Sequence, residues 1–297
     1  MGVPVNGGWL EQKERSYAWV MKLMVWIATT FGRRLSRLLL YPFSLYYLIF
    51  STQRKKASKN FLGRVLSRKI SSLDVFRHYH CFASVFLDRI YILKNGGKDL
   101  AVKVHGKSVF SELKGQGCLL FGSHLGSFEI ARAFGLSREG FALKVLMHES
   151  QSKKTNTLLN SLNPEFAQTI IQIGEPHSLL QVKEFVSQGH MVALLADRVF
   201  HKEKTTPCTF LGETACLPSG PIVLASILKV PVVLFFGLYK GGNRYEIYFE
   251  KFADPIQLDA LDKDRSIQEW TQRYANRLSD YCKMAPFNWF NFYNYWK

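Results

Sequence analysis

The chain has 297 residues, 47% hydrophobic and 14% aromatic, and its 39 Lys and Arg against 23 Asp and Glu give a formal charge of +16. That length accommodates one large core, and the lack of repeats or of Pro/Ser/Gly-rich tracts excludes a disordered, collagen-like or solenoid chain. The charge calls for an anionic partner, and thirteen of the Lys and Arg fall in residues 1–70 against only Glu11 and Glu14, within the most apolar part of the chain.

In chain order, Tyr17–Phe31 and Leu38–Phe50 are apolar stretches divided by Arg33, Arg34 and Arg37. Each is shorter than the roughly 20 residues a membrane-crossing helix needs. Residues 1–53 therefore read as an amphipathic, membrane-associating helical segment whose arginines meet anionic lipid; one weak transmembrane helix and a pair of core helices are the alternatives. The first residues carry no pattern of a cleavable signal peptide, which points to attachment on the cytoplasmic face. Residues 54–297 read as one α/β domain. Arg54–Lys69 has a basic amphipathic pattern, and Leu73–Leu93 reads as a long helix on which His78 and His80 are ordinary core or surface histidines.

From Val102 onward short apolar runs alternate with helical patterns. Strands are expected at Cys118–Phe121, Leu143–Met147, Thr169–Ile173, Val192–Ala196, Val232–Leu238 and Tyr245–Phe249. Helices are expected at Ser127–Phe134, Lys154–Leu162, Ser178–Ser187, Gly220–Leu228 and Asp264–Cys282. That alternation predicts a mixed, mainly parallel sheet covered by helices, with ligands beyond the carboxyl ends of its strands. The five cysteines form an odd set with no CxxC and no histidines at zinc-like spacing, so free thiols in a reducing compartment, with no metal and no cofactor, are expected.

The chemistry concentrates in Cys118-Leu-Leu-Phe-Gly-Ser-His-Leu-Gly-Ser-Phe-Glu-Ile-Ala-Arg132, an apolar strand passing through a small-residue turn into a helix start. The middle of Gly122-Ser-His-Leu-Gly126 holds His124, where a serine-hydrolase elbow would need serine. Glu129 stands five residues on. If His124 lies just ahead of the regular helix, the Glu129 carboxylate can take a hydrogen bond from one imidazole nitrogen and leave the other as a base. A buried histidine at a helix start is the plainer reading of the same fragment.

The H-x4-E after an apolar strand, Ala196-Asp-Arg198 after another, and Phe210-Leu-Gly-Glu-Thr-Ala-Cys-Leu-Pro-Ser-Gly-Pro221, in that order, resemble the lysophospholipid acyltransferase superfamily. The branch they are most similar to is that of the lipid A lauroyl and myristoyl acyltransferases. The resemblance runs from about residue 54 to the end. It implies that His124 is a general base partnered by Glu129, with no acyl-enzyme. It also implies that the residues around Asp197 and the block with Phe210, Gly212, Glu213, Pro218 and Gly220 help to form donor and acceptor sites. Arg132 and Arg198 are candidates to hold phosphate or to stabilise the oxyanion. Phe166-Ala-Gln-Thr-Ile170 lacks the arginine usual in that branch. The ending Pro286–Trp296 is as aromatic as theirs without the arginines, and suits either an interfacial aromatic belt or a core strap.

The function expected is transfer of a fatty acyl chain from acyl carrier protein or acyl-CoA to a hydroxyl or amine of a lipid or glycolipid, at the cytoplasmic face of a bacterial inner membrane. A catalytically inactive membrane-binding or scaffold protein on the same fold is the alternative. A nucleic-acid partner is excluded by a basic segment that flanks lipid-like stretches and carries no recognition motif.

Overall fold

The computed structural model describes residues 17–113, 115–130, 132–133, 142–148, 163–164, 168–174, 177–200 and 203–296. Helix α1 (Tyr17–Phe50) takes both N-terminal apolar stretches as one element, bent at Gly32, whose φ of 76° a glycine adopts without strain. Beyond the bend, Ser36, Leu40 and Ser44 recur every fourth residue and are buried, and Leu40 packs with Ala83, Leu87 and Ile90 of α3. The other face leaves Leu35, Leu38, Leu39, Leu45, Ile49 and Phe50 exposed. No helix among the described residues is long and apolar enough to cross a membrane.

Helices α2 (Thr52–Leu66) and α3 (Ser72–Asn95) follow, the second opened by a reciprocal Ser71–Asp74 capping box and closed by Gly96 in the left-handed region. Asp88 of α3 is fully buried, and both its oxygens accept from Arg33, at 2.8 and 3.0 Å. Arg37 donates to the Tyr239 hydroxyl. The spacing predicts Arg33 and Arg37 at lipid phosphates; the structure turns both inward, because a buried carboxylate must be paired. Arg34 is the exposed member of the trio.

Seven strands form one sheet in the order β1-β9-β8-β2-β5-β3-β4: β1 (Ala101–His105), β2 (Cys118–Gly122), β3 (Leu143–His148), β4 (Ile170–Ile173), β5 (Met191–Leu195), β8 (Val232–Tyr239) and β9 (Arg244–Ala253). Every neighbouring pair is parallel except β8 with β9, as the alternation of strands and helices predicts. All residues of β2 and β8 are buried, which is why they read as continuous apolar runs. A separate hairpin, β6 (Thr205–Phe210) and β7 (Glu213–Pro218), turns through Leu211 and Gly212, both at positive φ.

Of the helices, α4 (Ser108–Glu112) and α5 (Phe128–Ile130) are short, while α6 (Ser178–Ser187), α7 (Gly220–Leu228) and α8 (Lys263–Met284) match the expected spans closely. The helix expected at Lys154–Leu162 lies outside the described residues. No strand is expected at β1 or in the hairpin. Both are poor in long apolar runs, and β1 is a partly exposed edge.

Candidate active site

Strands β2 and β5 are parallel neighbours with Gly122 paired to Leu195. Each runs on two residues past its end, to His124 and to Asp197, so the register alone sets these side chains opposite each other at the carboxyl edge of the sheet. His124 Nδ1 lies 2.8 Å from Asp197 Oδ1, and the His124 main-chain N–H donates to Oδ2 at 3.0 Å. The indole N–H of Trp289 also donates to Oδ2, at 2.9 Å. A carboxylate only accepts, so Nδ1 carries the proton and the lone pair of the ring lies on Nε2.

The loop that carries His124 is held on both sides. Gly126 has φ 71°, and a Cβ there would stand 2.0 Å from the Gly237 carbonyl oxygen of β8, so only glycine lets the loop lie this close. The Ser127 N–H donates to that same oxygen at 2.8 Å. On the other side the C-terminal segment pairs with the loop: Gly126 N–H donates to Asn288 O, and Phe290 N–H to His124 O. Trp289 and Asn291 are fully buried, so the aromatic ending is a core strap across the site.

Burial lowers the His124 pKa, the nearby Arg198 charge lowers it further, and Asp197 and Glu129 oppose both. The imidazole is therefore neutral near pH 7. For Asp197, burial alone would raise the pKa; His124, Arg198 and the Trp289 N–H outweigh it and hold the carboxyl at about 2. The His124 side chain is 20% exposed while Asp197 is sealed. A neutral base is thus fixed from behind and open on one edge.

The spacing predicts Glu129 as the imidazole's hydrogen-bond partner; the structure gives that bond to Asp197. Glu129 instead pairs with Arg89 Nε at 2.6 Å and accepts a long bond from Ser127 Oγ at 3.5 Å. Its charge still acts on His124 and on the half-buried Arg132. Arg198 donates to Phe290 O at 2.8 Å and lies over the Tyr293 ring, and its buried Nε has no hydrogen-bond partner among the described residues.

The model of the bacterial lipid A biosynthesis acyltransferase family matches residues 10–297. The chain belongs to that family. No individually curated protein matches it. It is an acyltransferase enzyme of lipid biosynthesis, which sets the scaffold alternative aside.

Within this acyltransferase, Asp197, Arg198 and Glu129 gather around His124, and the remaining residues that the resemblance implies stand farther out. Phe210 is a buried wedge, stacked on Trp296 and edge-on to Trp289, and reaches the site through that tryptophan. Gly212 and Glu213 form the hairpin tip, where Glu213 pairs with Arg64 of α2, and Pro218 and Gly220 make the junction from β7 into α7. Trp289 and Arg89 carry no sequence signal as site residues. Asp197 stands out in the sequence only as a polar residue after an apolar strand; its pairing with His124 follows from the register of β2 and β5.

Proposed function

We propose that this acyltransferase moves a fatty acyl chain from a thioester donor to a hydroxyl or amine of a lipid or glycolipid, with His124 Nε2 as general base and Asp197 as the carboxylate that orients it. The carrying observation is the His124 Nδ1 bond to the buried Asp197, which leaves Nε2 as the basic nitrogen. As the acceptor oxygen or nitrogen attacks the thioester carbonyl, its proton passes to Nε2. The new acyl bond forms, the C–S bond breaks, and the leaving thiolate takes the proton from the imidazolium. No acyl-enzyme is needed. Arg198, whose charge acts on His124, supplies positive charge for the oxyanion or for a donor phosphate. Glu129, held by Arg89, tunes His124 by charge.

The exposed apolar face of α1 supports seating on the cytoplasmic face of a bacterial inner membrane, with Arg34 towards anionic lipid. Lys55, Lys56 and Lys59 on α2, which contains no acidic residue, favour acyl carrier protein over acyl-CoA as donor, because an acidic protein is steered by such a surface.

The full chain in detergent, given each donor at matched chain length and a bacterial lipid extract, should transfer the acyl group, faster from the carrier protein, with products read by mass spectrometry. His124→Ala should lose about 10²- to 10⁴-fold. Wild-type transfer by His124→Ala removes the mechanism; a clear preference for acyl-CoA removes only the carrier.

A further inference from the structure

We propose that Trp289 is a positioning residue: its indole N–H holds Oδ2 of Asp197 so that Oδ1 stays aimed at His124 Nδ1, which makes the C-terminal strap a working part of the catalytic machinery. The proposal rests on His124 acting as the base. A fully buried tryptophan needs an acceptor for its N–H, and many main-chain carbonyls could serve. Here the acceptor is the carboxylate that touches the imidazole. Asp197 Oδ2 takes two donors, the His124 main-chain N–H and the indole, and together they fix the rotation of the carboxylate about its own axis. Without the indole, Oδ2 keeps only the His124 main-chain bond among the described residues, and the carboxylate is held through His124 alone.

The indole is itself fixed from several directions. Its ring lies between Phe61 and Phe210, at 4.9 and 5.1 Å between centroids, with Tyr295 against it at 4.9 Å. The Trp289 carbonyl accepts from His78 Nε2 at 2.9 Å, and His78 Nδ1 in turn accepts from the Ser58 hydroxyl at 2.8 Å. On either side of Trp289 the strap is tied to its surroundings. Asn288 bridges Tyr239 N and O through its side chain and takes the Gly126 N–H on its carbonyl, while Phe290 N–H holds His124 O. The Tyr295 hydroxyl donates to the Asp197 carbonyl at 2.7 Å. The strap thus grips both the loop of the base and the carboxylate behind it. An aromatic filler would need none of these polar ties.

The test removes one hydrogen. Benzothienylalanine placed at position 289 keeps the size and shape of the indole and replaces N–H by sulfur; Trp289→Phe is the simpler companion. Two quantities are read on the full chain in detergent: the His124 pKa, by NMR of labelled histidine assigned with His124→Ala, and acyl transfer from carrier-protein thioester into bacterial lipid extract. With Oδ1 no longer held on Nδ1, the imidazolium loses the bond that favours it, so the His124 pKa should fall further, by about threefold or more in proton affinity. Transfer should fall about tenfold to a hundredfold, the range for a hydrogen bond to a charged group, with the protein still folded at the assay temperature. An unmoved His124 pKa overturns the proposal, whether the rate holds or falls, because packing alone does not titrate the imidazole. Full activity of His124→Ala would instead sink the reading on which this one rests.

Discussion

Two carboxylates in this molecule are sealed from solvent and surrounded by donors, and they do opposite work. Asp88 is held by Arg33 through two bonds and by the Tyr245 hydroxyl at 2.9 Å, with Arg37 at 3.7 Å. Asp197 is held by two N–H groups of His124 and by the Trp289 indole. A guanidinium never gives up its proton near neutrality, so the Asp88 cluster is closed and serves as a latch that pins α1 to α3 and β9. An imidazole whose pKa is lowered by burial sheds its charge, so the Asp197 cluster keeps one nitrogen basic. Burial and pairing are alike in the two regions. The pKa of the partner separates a strut from a reactive site.

The sharpest way to break that comparison is to neutralise each carboxylate near His124 in turn. Asp197→Asn leaves Nδ1 without its acceptor charge and permits the wrong tautomer; transfer should fall about 10²- to 10⁴-fold. Glu129→Gln, which removes a carboxylate ion-paired with Arg89 and not bonded to the imidazole, should cost about tenfold or less. A larger loss at Glu129 than at Asp197, in the same transfer assay, would return the orienting role to the H-x4-E pair.

At the latch the effect should appear in stability and not in chemistry. Asp88→Asn removes the charge that Arg33 and Arg37 share, and breaking a buried pair from one side costs about 3 to 5 kcal/mol; the partial exposure of Arg33 argues for the low end. Denaturant unfolding in detergent should show that loss, while the pH profile of transfer stays in place. A shifted profile with unchanged stability would mean that the latch communicates with the base.

Much of the sheet is legible in the sequence because β2, β5 and β8 are buried on both faces and so appear as unbroken apolar runs. The edge strand β1 and the Thr- and Cys-bearing hairpin do not, since their stability comes from pairing with partners distant in sequence. His124 is legible through its turn and its small neighbours. Its true hydrogen-bond partner is not, because Glu129 is near in sequence whereas Asp197 is near only once β2 and β5 lie side by side in register. Arg33 and Arg37 mislead for the same reason: an arginine between apolar stretches looks like a lipid contact until the fold supplies Asp88. Trp289 sits in an aromatic ending that nothing in the sequence distinguishes from a membrane-interface belt.

The smallest expected effect concerns His78, a third imidazole environment that separates burial from catalysis. Completely buried between Ser58 and the Trp289 carbonyl, it has its pKa pushed down by desolvation to about 4, against an ordinary value near 6.5. Below pH 6.5 the unfolded chain binds a proton that the native chain refuses, so stability falls as pH falls. The loss begins near pH 6.5, ends near pH 4, and amounts to about 3 kcal/mol at most for that difference in pKa. His124, also lowered, adds to the slope in the same direction, whereas Asp197, held at about 2, contributes only below the usual carboxylate range. Urea midpoints between pH 4.5 and 7.5, taken in the His124→Ala background, should drop on acidification, His80, also lowered by burial, adding to the contribution of His78. His78→Gln, which keeps a donor for the Trp289 carbonyl, should remove the larger part of that drop. A flat curve with His78 in place would mean that this imidazole accepts its proton inside the fold, and the strap would then be anchored by a charge and not by a neutral hydrogen bond.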